Sequence, residues 1–130
     1  MQRNANSKDF VERRKYKRFA VRDVAFAILR TNEEEELGQI TNISVGGLAF
    51  QYFVGNRELQ KADRLDMILA ENGLHVDDIR FHAVADYELV NELPFSSITK
   101  REQRVRFENL TENQKNSIDG FIKEHTYPEK

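Results

Sequence analysis

At 130 residues the chain has room for one domain with a real core, and 39% hydrophobic with 32% charged residues is the balance of a polar globular protein, not a disordered one. The absence of cysteine excludes a disulfide framework, an iron–sulfur cluster and a thiolate zinc site, and it suits a reducing compartment. Net charge is −2, yet residues 1–22 carry eight cations against Asp9 and Glu12, a balance of +6 that leaves −8 for the rest, so one local anion site fits better than a general nucleic-acid coat.

Residues 1–11 read as a mobile arm, polar and without period, residues 12–126 as the folded domain and 127–130 as a tail. The run Arg13-Arg14-Lys15-Tyr16-Lys17-Arg18 holds five cations in six residues, three of them guanidinium forks that suit phosphate or a guanine edge. From Phe19 the pattern becomes that of strands. Val24, Phe26 and Ile28 alternate while Phe19 and Val21 fall on the other parity, which predicts a bend or bulge at Arg22-Asp23. Ala25, Ala27 and Leu29 are apolar too, as in a strand covered on both sides. Glu33 to Glu36 read as the exposed tip of a hairpin. Leu37 to Thr41 form a short strand, Asn42-Ile43-Ser44-Val45-Gly46-Gly47 a turn, and Leu48, Phe50 and Tyr52 one face of the next strand.

Further along, Leu65, Met67 and Leu69 alternate, Glu71-Asn72-Gly73 signals a hairpin, and a long strand follows with Phe81, Ala83, Ala85 and Tyr87 on one parity. The acids Asp63, Asp66, Asp77 and Asp78 read as solvated strand-edge groups. A loop over Asn91–Lys100 precedes Arg104-Val105-Arg106-Phe107, a last strand with Val105 and Phe107 inward. Thr111-Glu112-Asn113-Gln114 reads as a capping box, and Ile118, Phe121, Ile122 and His125 recur at helical spacing up to a stop at Pro128. The sum is about six strands and one helix, mainly β, which predicts a small antiparallel barrel with the helix over one opening.

Arg14 and Arg18 form an R-x-x-x-R element, and Asn42, Ser44 and Gly47 form an [D/N]-x-S-x-x-G element. The pair, in this order, resembles the PilZ domain family of bacterial cyclic di-GMP receptors. Gly47-Leu48-Ala49-Phe50, the Arg104–Phe107 strand and Asn109-Leu110-Thr111 before the helix agree with it. The resemblance implies a six-stranded PilZ-type β-barrel with a C-terminal α-helix, and a cyclic di-GMP site made by Arg14, Arg18, Asn42, Ser44 and Gly47. It gives Arg13 the binding of a stacked pair of ligand molecules. Gly47 is expected to be required because a Cβ there meets the ligand or a left-handed turn, and Tyr16 to anchor the arm on the barrel. The function implied is a cytoplasmic receptor or adaptor whose arm orders over the barrel on binding and is read by a downstream protein. That protein remains unidentified, and the Asn91–Lys100 loop is its candidate contact. No catalytic motif, metal-ligand spacing, cofactor signature or membrane span occurs. The alternatives are a PilZ-like adaptor that binds no ligand, and a small single-strand nucleic-acid barrel using Tyr16 and Phe19 for stacking. The intact motifs oppose the first and the acidic remainder the second.

Overall fold

The structure, a computed structural model, describes residues 16–31, 35–54, 62–73, 75–89 and 98–128. Among them are seven strands, β1 (Phe19–Ala20), β2 (Ala25–Arg30), β3 (Glu35–Ser44), β4 (Gly47–Val54), β5 (Arg64–Leu69), β6 (His75–Glu88) and β7 (Thr99–Glu108), and one helix, α1 (Glu112–His125). Six of the strands close an antiparallel ring in the order β3-β2-β5-β6-β7-β4, with β4 returning to β3. β1 is a two-residue stub paired to Asn42 and Ile43 of β3, beyond the residues of β3 that pair with β2. Closure leaves the ring without the long unpaired edge that an open sheet of this size would expose. The expected six-stranded barrel with a C-terminal helix is the architecture found.

Period-two alternation sends one face of each strand inward. Leu48, Phe50 and Tyr52 of β4, Leu65, Met67 and Leu69 of β5, and Val105 and Phe107 of β7 form the core as their spacing predicts. On β2 the inward set is Ala25, Ala27 and Leu29, while Val24 is exposed and Phe26 and Ile28 are half-buried. Small side chains on β2 leave interior volume to Phe50, Phe81 and Phe107 of the same cluster. The break expected at Arg22-Asp23 lies between β1 and β2.

Three boundaries and the environment of one acid differ from expectation. Glu35 and Glu36 belong to β3 and are not part of a hairpin tip, because Glu35 pairs with Arg30 across the ladder and their side chains form an ion pair at 2.7 Å. Asn42 to Ser44 belong to β3 as well, leaving only Val45-Gly46 to turn the chain. β7 begins at Thr99, five residues before the apolar alternation reveals it, since Thr99 to Gln103 pair with β4. Asp66 is not a solvated acid: it is 6% exposed and accepts Arg30 Nε at 2.9 Å and the Asp78 amide at 2.8 Å. The arm, residues 55–61 and the loop over 90–97 lie outside the described residues.

The helix starts where the capping box predicts. The Gln114 amide donates to Thr111 Oγ1 at 3.1 Å, and Gln114 Oε1 accepts the Thr111 amide at 2.9 Å. Gln114 Nε2 also donates to the Asp77 carbonyl at 2.8 Å, which ties the cap to β6. Ile118 and Phe121 enter the core beside Met67, Leu69 and Val76. At the C-terminal end His125 Nδ1 lies 2.9 Å from Asp23 Oδ2, clasping α1 to the β1–β2 break.

The end of the barrel formed by the last part of β6 is closed by polar groups. A bulge between Ala83 and Ala85 reverses the parity of β6, so Asp86 faces inward where simple alternation would place Tyr87. The Asp86 carboxylate accepts the Tyr52 hydroxyl, Gln103 Nε2 at 2.8 Å and Arg101 Nε at 2.7 Å. Burial by itself would raise the Asp86 carboxyl, but those donors and the Arg101 charge outweigh it and hold it below the usual carboxylate range. The Tyr52 hydroxyl, desolvated and beside that carboxylate, is pushed up to about 12. A carboxyl depressed in the folded state stabilises fully above its unfolded pKa of about 4 and loses that contribution as pH falls through the folded value. Asp86→Asn is therefore expected to lower stability at pH 7 by about 1 kcal/mol, since solvent screens much of the charge interaction at this partly exposed site, and to flatten the acid limb of stability against pH. Urea midpoints between pH 7 and pH 3 check both; an unchanged acid limb would remove Asp86 from the account.

Candidate functional site

The pairing of β1 with β3 brings the two sequence elements together. Phe19 lies opposite Ile43 and Ala20 opposite Asn42, so the end of the basic run is laid against the strand that carries Asn42 and Ser44. Just before β1, the Tyr16 ring rests on the turn: a Cβ on Gly46 would lie 2.2 Å from Tyr16 Cδ2. Lys17 and Arg18 are exposed at this junction. Arg13 and Arg14 lie outside the described residues.

A bulge in β3 aims the polar pair. Ile40 and Ile43 are both buried at a spacing of three, which strict alternation forbids, and the register shift between Ile40 and Asn42 accounts for it. Without that extra residue the parity of Ile40 would turn Asn42 and Ser44 inward. With it they line a cleft on the outside of the barrel, about 290 Å³, together with Tyr16, Arg18, Gly46, Gly47, Ala49, Val84, Arg104 and Arg106. The Ser44 hydroxyl first shapes the turn, accepting the Gly46 amide at 3.1 Å and donating to the Gly47 carbonyl at 3.4 Å, which leaves it one lone pair.

The left-handed turn expected at Gly47 is not found: its φ is not left-handed, and the group a Cβ would strike is the Val105 carbonyl oxygen, 2.1 Å away on β7. The glycine permits a close approach of two backbones at the floor of the cleft.

Arg104 and Arg106 were not among the expected site residues, although their signal was present. With Val105 and Phe107 inward, the same alternation turns both arginines outward, on either side of the Gly47–Ala49 segment with which they pair. Val84, the extra residue of the β6 bulge, had no such signal, because a bulge is set by strand pairing and not by composition. The cleft thus presents three guanidinium groups, from Arg18, Arg104 and Arg106, and no carboxylate among its described lining. Planar forks with fixed charge suit an anionic ligand that also offers paired acceptors or an aromatic face. A groove of about 790 Å³ adjoins it along the start of α1 and shares Tyr16, Gly46 and Arg106 with it.

A family model described as the PilZ domain matches residues 12–124. The chain belongs to the PilZ domain family. Among solved structures, the PilZ domain with c-di-GMP of YcgR from Escherichia coli superposes at a TM-score of 0.66 with 18% identity, covering 85% of this chain and 88% of that one. The MrkH–c-di-GMP complex of K. pneumonia superposes at 0.62 with 19% identity, covering 84% of this chain and 50% of that one. Another MrkH structure, named as a c-di-GMP-dependent transcription regulatory factor, gives 0.65 and 19% over 84% of this chain and 49% of that one. This PilZ chain therefore spans about half the length of the MrkH chains, and at such identities the likeness is one of fold. No curated protein matches the chain. Among the described residues of this PilZ domain, no helix is long and apolar enough to cross a membrane.

Proposed function

We propose that the chain is a cyclic di-GMP receptor and adaptor module of the bacterial cytoplasm, without catalytic activity or cofactor of its own. One observation carries this reading: the β1–β3 pairing sets Arg18 on the same cleft as Asn42 and Ser44, beside two more guanidinium groups and with no carboxylate among the described lining residues. Cyclic di-GMP carries two phosphodiesters for which those charges are suited, and two guanines whose O6 and N7 match an arginine fork. The solved PilZ structures with c-di-GMP named above support the reading by fold. In it Arg14 and Arg18 contact bases and phosphates, Asn42 and Ser44 a base edge or phosphate, and Gly47 shapes the floor. Arg13 binds a second, stacked molecule. Ligand binding draws the arm over the barrel and completes a surface for a downstream protein.

Isothermal titration of the chain with cyclic di-GMP in low salt tests the reading, because phosphate contacts weaken steeply as salt rises. Saturable binding at micromolar ligand supports it, and a stoichiometry of two per chain supports the stacked pair. Absence of heat at tens of micromolar overturns it, and displacement of the dinucleotide by a random single-stranded oligonucleotide favours a nucleic-acid barrel instead.

A further inference from the structure

Behind the cleft, one of its arginines is held by a built arrangement that the two sequence elements do not explain. Arg104 has alanines as both cross-strand neighbours, Ala49 on β4 and Ala85 on β6, so neither directly paired residue carries a bulky side chain. The guanidinium carbon lies 5.7 Å from the Tyr87 ring centroid. Its Nε is 3.5 Å from Glu102 Oε2, an ion pair without hydrogen-bond geometry, and that buried N–H has no hydrogen-bond partner among the described residues. Glu102 is itself fixed from both sides. Its Oε1 accepts Gln51 Nε2 at 3.3 Å, its Oε2 accepts the Tyr87 hydroxyl, and its side chain is only 11% exposed. Burial would raise the Glu102 carboxyl, but the Tyr87 and Gln51 donors and the Arg104 charge hold it below its ordinary range.

Surface ion pairs are rarely given so much support. A carboxylate clamped by neighbours on two strands, facing an N–H at 3.5 Å that lacks hydrogen-bond geometry, is suited to receive that N–H when something turns the guanidinium from the cleft. A flat aromatic group stacking on the guanidinium would do so, with Tyr87 on its other side.

We propose that Arg104 is a purine-reading residue of the cleft and that Glu102, with Tyr87, is the pair that positions it. The proposal rests on the cyclic di-GMP reading and adds to it a specificity determinant outside both sequence elements. The stacked face accepts either purine, so selectivity comes from the edge of the fork, which meets the ligand's other base. That edge favours guanine, whose O6 and N7 accept two N–H groups, over adenine, which places an amino donor where O6 stands.

The test compares cyclic di-GMP with cyclic di-AMP, which has the same phosphate ring, by titration against the unaltered chain, Arg104→Lys, Arg104→Gln and Glu102→Gln. Arg104→Lys keeps the charge and removes the fork. It is expected to weaken cyclic di-GMP about tenfold or more while changing cyclic di-AMP by less than about twofold, so that the selectivity ratio collapses. Glu102→Gln, which keeps shape but not charge, is expected to reduce the same ratio by a smaller factor with cyclic di-AMP again little changed. Thermal melts accompany each variant, and Arg104→Lys and Arg104→Gln stand if Glu102→Gln fails to fold, because they leave the Glu102 clamp with Tyr87 and Gln51 in place. Variants at Arg104 that bind and select as the unaltered chain does overturn this proposal and leave the receptor reading standing. An equal loss for both dinucleotides reduces Arg104 to general charge and also overturns it. Absence of cyclic di-GMP binding by the unaltered chain overturns the receptor reading, and this proposal with it.

Discussion

Gly47→Ala is expected to destabilise the barrel by more than about 3 kcal/mol. The new methyl carbon would lie 2.1 Å from the Val105 carbonyl oxygen, 3.1 Å from its carbon and 3.2 Å from Arg106 Cα, all of them backbone atoms of β7. No rotamer change relieves a clash with backbone. The two strands must part where Gly47 pairs with Arg106 and Leu48 with Val105. Leu48 and Val105 are both core residues, so the separation opens the interior as well as the cleft floor. A useful contrast is Gly120→Ala in α1, where a Cβ meets nothing within 4 Å. There the change should stabilise by roughly 0.5–1 kcal/mol, because alanine loses less backbone freedom than glycine on entering a helix. Urea unfolding of both variants checks the pair, and a Gly47→Ala midpoint equal to that of the parent would refute the close approach.

Arg18→Ala should weaken cyclic di-GMP by at least about tenfold and as much as a hundredfold, the range for losing a bidentate contact to a base or phosphate. Stability should change little, since Arg18 is exposed and precedes the first strand. Lys17→Ala, next to it and also exposed, is expected to weaken binding only modestly and to reduce the steepness of the salt dependence. The separation between the two variants is the informative quantity. If they weaken binding equally, the basic run contributes a field and not a recognition element, and the receptor reading loses its central residue. Titrations of each variant at two salt concentrations make the distinction.

Much of the architecture was legible because it follows from periodicity. Leu65, Met67 and Leu69, or Val105 and Phe107, fall inward wherever a two-residue period meets a single buried face. The capping box at Thr111 and Gln114 is equally local, requiring only residues three apart. Legibility failed where a strand is polar on both faces or where a ladder is irregular. Thr99 to Gln103 show no apolar alternation, yet they are strand because β4 needs a partner along its whole length. Asp66 looked solvated because its partner, Arg30, sits on another strand 36 residues away.

The candidate site shows the same division. Sequence alone supplied the two elements and their chemistry: guanidinium forks at Arg14 and Arg18, short polar side chains at Asn42 and Ser44, and a glycine at position 47. It also carried, unread, the outward parity of Arg104 and Arg106. Tertiary structure decided what these residues face. The bulge in β3 turns Asn42 and Ser44 out of the core, and the β1–β3 pairing carries Arg18 to them. Close packing of β4 on β7 explains Gly47, and the clamp of Gln51 and Tyr87 on Glu102 explains how Arg104 is held. The physical reason is that residue type fixes which interactions a group is capable of, whereas bulges, register and strand closure depend on pairings between distant segments. Those pairings leave little trace in any short stretch of the chain.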